Sequence, residues 1–144
     1  MKLEELAKKI IRDNEYLALA TSEGTKPWAS PVHYGVDGNY IFYFVSIPSS
    51  KHCSNIDGNP KVSFAIYNST VPEGQGNGIQ VDGKAELLEN SEYEHALQYY
   101  KSVFVSTDIE GLMKSPYRIY KITPEHIFIN DPHAKVDGRV EIKL

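Results

Sequence analysis

From Tyr16 onward the chain is written in short aromatic and β-branched runs, each closed by a turn signal, and that rhythm constrains the fold most. "YLALATSEGTKPWASPVHYGVDGNYIFYFVS" (16–46) reads as successive strands. Its connections "SEGTKP" and "VDGN" suit hairpins, because glycine supplies backbone angles that other residues avoid. "KVSFAIYN" (61–68) is another strand, and "TVPEGQGNG" (70–78), with four glycine or proline residues in nine, is a loop. "IQVDGKAELLEN" (79–90) predicts a long strand with a bulge at Gly83. "YRIYKITPEHIFIND" (117–131) predicts one or two closing strands, broken at Thr123–Pro124. The tail "AKVDGRVEIKL" adds a final edge strand.

Helical periodicity occurs in three places. "LEELAKKIIRDN" (3–14) sets Leu3, Leu6, Ala7, Ile10 and Ile11 on one face, with lysines and acids opposite. "SEYEHALQYYKSVF" (91–104) has Ser91 and Glu94 at capping-box spacing, so a helix starting at Ser91 is expected, with Tyr99, Tyr100 and Phe104 on its apolar face. A short helix follows "IPSS", ending near Gly58 before Pro60. Helix, antiparallel strands, helix, strands is the order of a closed or half-closed β-barrel with helices at its ends, and not of a doubly wound sheet.

At 144 residues, 41% hydrophobic and 24% charged, the chain is expected to form one domain over residues 1–144 with a core of its own. A net charge of -4 argues against general nucleic-acid or anionic-membrane binding. No apolar run has the length of a membrane span, and the N-terminus is amphipathic, so a cytoplasmic location is the expectation. The single Cys53 excludes an internal disulfide. Neither a Cys-x-x-Cys nor a His-x-x-x-His pair occurs, and no metal site is expected.

The stretch "VSIPSSKHCSNIDGNP" (45–60) clusters hydroxyls and a lysine where an aromatic strand ends. A phosphate needs hydroxyls, backbone N–H groups and a cation, preferably at a helix N-terminus. Ser46, Ser49, Ser50 and Lys51 provide that set in sequence. The alternative is a solvated turn whose serines cap the helix.

The succession of elements resembles the pyridoxamine 5'-phosphate oxidase-like family of flavin-binding split barrels. "LALATSEG" stands as first strand and "PWASPVHYGVDG" as second. "YIFYFVSIPSSKHCSNIDGNPKVSFAIYN" supplies the third strand, phosphate turn, short helix and fourth strand, and "GIQVDGKAELLE" the fifth. The resemblance runs from about Leu17 to Leu88, with a looser echo in "YRIYKITPEHIFIN". It implies a mainly β, antiparallel six-stranded split barrel (Greek key) with flanking α-helices, homodimeric, with FMN between the subunits. It places Ser30, Pro31 and Val32 beside the flavin, Ser46, Ser50 and Lys51 at its phosphate, and Asn77 and Gln80 as further polar contacts. The family commonly has arginine where this chain has Ser30 and Ser50, and arginine grips phosphate more firmly than serine. His33, His52 or Lys26 are the residues that could compensate.

The implied function is an FMN-dependent oxidoreductase with a small-molecule substrate or nicotinamide donor. The chain lacks the length and the basic ends of the vitamin-synthesising oxidase and is more similar to general stress and nitroreductase-like proteins. A non-enzymatic flavin-binding module, a cofactor-free dimeric barrel, and a deazaflavin or haem user on the same scaffold are the alternatives. No residue is assigned as a dedicated acid or base. Trp28 is expected in core or interface packing, His95 in solvent, and His126 and His133 at the surface or in caps. Asp131 is expected to serve the turn at Pro132 rather than to pair with His133.

Overall fold

Alternation of buried and exposed residues organises the sheet of this computed structural model, which describes residues 1–103, 105 and 108–144. In β1 (Tyr16–Glu23) Leu17, Leu19 and Thr21 turn inward, and in β5 (Lys61–Tyr67) Val62, Phe64 and Ile66 do the same. The other strands are β2 (Lys26–His33), β3 (Gly35–Val36), β4 (Phe42–Ser46), β6 (Gly78–Leu87), β7 (Arg118–Asn130) and β8 (Arg139–Ile142). Among the described residues four α-helices accompany them: α1 (Leu3–Asp13), α2 (Lys51–Gly58), α3 (Tyr93–Tyr99) and α4 (Ile109–Lys114).

All pairings are antiparallel, in the order β2-β1-β5-β6-β7-β4-β3, with β8 added to β7. The expected split-barrel class is correct. Among the described residues the strands number eight rather than six, the additions being two-residue β3 and four-residue β8. β7 does not break at Thr123–Pro124. It runs 13 residues, pairing β4 through 118–122 and β8 through 127–130, because a bulge opposite Asp82/Gly83 absorbs Pro124. A Cβ on Gly83 would lie 2.3 Å from the Thr123 carbonyl oxygen, which explains the glycine.

Inside the curl, Phe42, Phe44, Phe64, Ile66, Ile79 and Ile129 pack with Ala7, Ile10 and Ile11 of α1 and Cys53 and Ile56 of α2. The α1 face is the expected one. Tyr34 fastens the end of α1, its hydroxyl lying 2.6 Å from the Ile11 and 2.9 Å from the Asn14 carbonyl oxygen. A second cluster joins Tyr43 and Ile119 to Tyr93, Leu97, Tyr100 and Leu112.

The helix expected over 91–104 is shorter. Ser91 lies in a 3-10 turn (Asn90–Glu92) and does not cap the α-helix, whose N-cap is Glu92. α3 stops at Tyr99 because its last carbonyl meets β3: a Cβ on Gly35 would be 2.5 Å from the Tyr99 oxygen. Tyr100 is then extended and packs its buried ring edge-on to His33 at 5.3 Å. Phe104 lies outside the described residues. Among the described residues, no helix is long and apolar enough to cross a membrane.

Candidate functional site

The two ends of the curled sheet come together around one side chain. β2 ends the strand order on one side, and β4 lies next to its other end. β4 runs out at Ser46, the chain turns with Ser50 N–H donating to the Ile47 carbonyl (2.9 Å), and α2 begins at Lys51. His52, in the first turn of α2, lies across the seam. Its Nδ1 is 3.2 Å from Ser30 Oγ of β2, and its Nε2 is 2.8 Å from Ser46 Oγ of β4 and 3.5 Å from Ser50 Oγ.

Burial pushes the His52 imidazole below its ordinary pKa, so the neutral form is favoured at neutral pH. A neutral imidazole donates from one nitrogen and accepts at the other, and hydroxyls serve either tautomer. Phe44 lies beneath the ring at 5.9 Å. Ser50 occupies the N-cap position of α2 without a side-chain capping bond, so the expected alternative of serine capping does not hold there. The Ser50 side chain thus leaves the first-turn N–H groups of α2 uncapped. Cys53, next along α2, is fully buried, and burial pushes its thiol up, which disfavours the reactive thiolate.

Lys51 turns away from this cluster. Its ammonium donates to Glu23 Oε2 at 2.7 Å in an exposed pair, and that bond, with the lysine charge, holds the Glu23 carboxyl below its usual range. The other expected site residues separate. Val32 is buried in the core. Pro31 and Gln80 lie on the outer face of the sheet, in one lateral row set by the register: Pro31 opposite Ala18, Ala18 opposite Ala65, Ala65 opposite Gln80, Gln80 opposite Phe128. Three strand spacings put Pro31 roughly 14 Å from Gln80. Ala18, Ala20, Ala29 and Ala65 floor a shallow cleft there of about 480 Å³, with Gln80 and Arg139 at one side. Asn77 lies before β6, its side-chain oxygen accepting from Gly78 N–H (2.8 Å). The structure therefore brings Ser30, Ser46 and Ser50 together, sets Lys51 beside them, and leaves Pro31, Asn77 and Gln80 elsewhere.

Other expectations are corrected or met in turn. Trp28 is 46% exposed, which excludes the core and leaves the interface as the other of its two expected places. His95 is not simply solvated: its Nε2 is 3.0 Å from a carboxylate oxygen of buried Asp37. Asp131 accepts from the His133 backbone N–H (2.9 Å), the expected turn role. His126 is at the surface beside Asp82. Sequence reasoning singled out the serines and named His52 only as one possible compensation. The available signal was its place in the first helical turn, two residues after the N-cap serine.

A half-open antiparallel barrel with hydroxyl and imidazole groups gathered at its seam has the split-barrel architecture. The family of pyridoxamine 5'-phosphate oxidase matches residues 3–131, and the chain belongs to that family. No curated protein matches it. Among solved structures it is similar to general stress protein 26 from Bacillus anthracis, at 19% identity and TM-score 0.71, covering 99% of this chain and all of that one. It is similar also to an FAD-binding protein from Mesorhizobium loti (20% identity, TM-score 0.66, 88% of this chain and 90% of that one). HutZ, the haem storage protein of Vibrio cholerae, is a third such structure (18% identity, TM-score 0.69, 90% and 95%). At these identities the likeness is one of fold.

Proposed function

We propose that the seam holds the phosphate of FMN and that the protein is an FMN-dependent oxidoreductase acting as a homodimer. The convergence of Ser30, Ser46 and Ser50 on His52 at the start of α2 carries this reading. Hydroxyls, first-turn N–H groups and an imidazole fit a phosphate's acceptor oxygens. Membership of the family supports the ligand class. Bound flavin would supply hydride transfer between an organic or nicotinamide donor and an acceptor. This chain's residues would anchor the phosphate and screen the site from water. Among the described strands β2 pairs with β1 alone, so its other edge offers backbone groups beside Ser30 and Pro31. The alanine-floored outer face is open, and a second copy laid on it would complete a flat slot for the ring.

Charge is the weak point of the fit. Burial favours the neutral form of His52, and Lys51 is occupied by Glu23. A bound phosphate would have to draw the Lys51 ammonium away from Glu23, so Lys51→Ala should weaken FMN binding by roughly tenfold, the lower end of what one charge-assisted hydrogen bond contributes. Glu23→Gln should tighten it several-fold, because the competitor for the ammonium is gone. Fluorescence titration of FMN at low salt measures both. A colourless protein that takes up no added FMN would overturn the proposal. Turnover of reduced nicotinamide by the loaded protein separates an oxidoreductase from a flavin-binding module without activity.

A further inference from the structure

Outside the seam, the β6–β7 bulge assembles a donor set that the proposed function does not use. Consecutive residues of a strand point to opposite faces, so Glu125 and His126 would ordinarily diverge. Here Asp82 pairs with His126 and Gly83 with Pro124, leaving Glu125 as the extra residue. The bulge re-aims its side chain, and Asp82, Glu125 and His126 each bring one ligand-type atom within 4.8 Å of the others. We propose that these three side chains bind one divalent transition-metal ion of the zinc class at the surface of the sheet.

Both strands are suited to hold that geometry. Gly83 permits a backbone approach that any Cβ would block, and Pro124 has no N–H to lose from the ladder. The set is pre-organised by one contact: Asp82 Oδ1 lies 2.8 Å from His126 Nδ1 and 3.1 Å from the His126 backbone N. Two ligands bonded to one zinc ion at about 2.1 Å, 90–110° apart, lie about 3.0–3.4 Å from each other. A metal ion replacing the shared proton would thus move the pair by only a few tenths of an ångström. One imidazole and two carboxylates suit zinc, cobalt or nickel. Calcium prefers six to eight oxygens, and magnesium keeps most of its waters. Two carboxylates leave the site net negative, with Glu141 adding to the field at His126. On this face Arg139 is engaged over the Phe128 ring at 4.7 Å, and Lys84 stands two residues along β6 from Asp82. All three ligands are exposed, so water can complete the coordination sphere.

The test is calorimetric titration of the full chain with Zn²⁺, paired with the visible spectrum of a Co²⁺-loaded sample. One ion per chain is expected, with His126→Ala and Asp82→Asn each lowering affinity by roughly tenfold or more. Glu125→Gln should also weaken binding and alter the Co²⁺ bands. Thermal melts without metal should match the wild type, since these side chains are at the surface. Absence of one-to-one Zn²⁺ binding by the wild type would overturn the site. So would undiminished binding by His126→Ala, which would assign the metal to other histidines.

Discussion

Replacing Phe44 by alanine is expected to lower the free energy of unfolding by about 3–5 kcal/mol, the usual range for deleting a buried phenyl ring. Phe44 is fully buried at the centre of β4. It lies directly opposite Tyr120 of β7, and the two rings stack nearly parallel, 11° apart in plane with centroids 5.3 Å apart. The His52 ring lies near it too, tilted by 53° with centroids 5.9 Å apart. A domain of this size is typically stable by 5–15 kcal/mol, so the variant would keep little reserve. Phe44→Leu, which fills more of the space, should cost about 1–2 kcal/mol and keep the fold. Urea unfolding at neutral pH measures both. If Phe44→Ala cost less than about 1 kcal/mol, the neighbours would have collapsed into the space, and Phe44 would not be what fixes the imidazole across the seam.

Much of this arrangement was legible because it is local. Alternation in "YLALATSE" and "KVSFAIY" and the stripe of Leu3, Leu6, Ala7, Ile10 and Ile11 are set by side-chain period, which tertiary context did not override. An irregularity at Gly83 was visible because a glycine inside a strand pattern has few other uses, but the extra residue, Glu125, lies in β7 opposite it and not in β6. Ser91 misled. Its capping spacing is a local preference, whereas the helix start is fixed by Tyr93, Ala96 and Leu97 fitting the groove over β4 and β7. At the site, the serines could be singled out because they are adjacent in sequence. Their meeting with Ser30 across 20 residues depends on how far the sheet curls. Lys51's preference for Glu23, 28 residues away, likewise depends on hairpin geometry that no spacing rule gives. The cluster at Asp82, Glu125 and His126 exists only through the extra residue in β7.

Asp37 is the second position where one change should reach the whole fold. Its carboxylate is buried in the turn between β3 and β4 and ties four donors together. Oδ1 accepts from the backbone N–H groups of Asn39 (2.9 Å) and Ile41 (3.0 Å), and Oδ2 accepts from the Tyr43 hydroxyl (2.9 Å) and faces His95 Nε2 of α3 at 3.0 Å. The aspartate thus shapes a hairpin and pins α3 to it. Hydrogen bonds to a charged group contribute about 1.5–3 kcal/mol each, though not additively, so Asp37→Ala should cost about 3–4 kcal/mol. Asp37→Asn, which keeps the shape and one acceptor oxygen, should cost less, about 1–2 kcal/mol. The pH dependence has a definite sign. Burial alone would raise the carboxyl's pKa, but the bonds from His95, Ile41, Tyr43 and Asn39 outweigh it and hold the group below its ordinary value. Its contribution is therefore complete above the ordinary aspartate range and is lost as pH falls below about 4, through the folded-state value. Urea midpoints taken from pH 7 down to pH 3 should fall more steeply for the wild type than for Asp37→Asn. Parallel acid limbs would mean that the carboxylate's charge contributes nothing there, and that its role is only to fill and cap the turn.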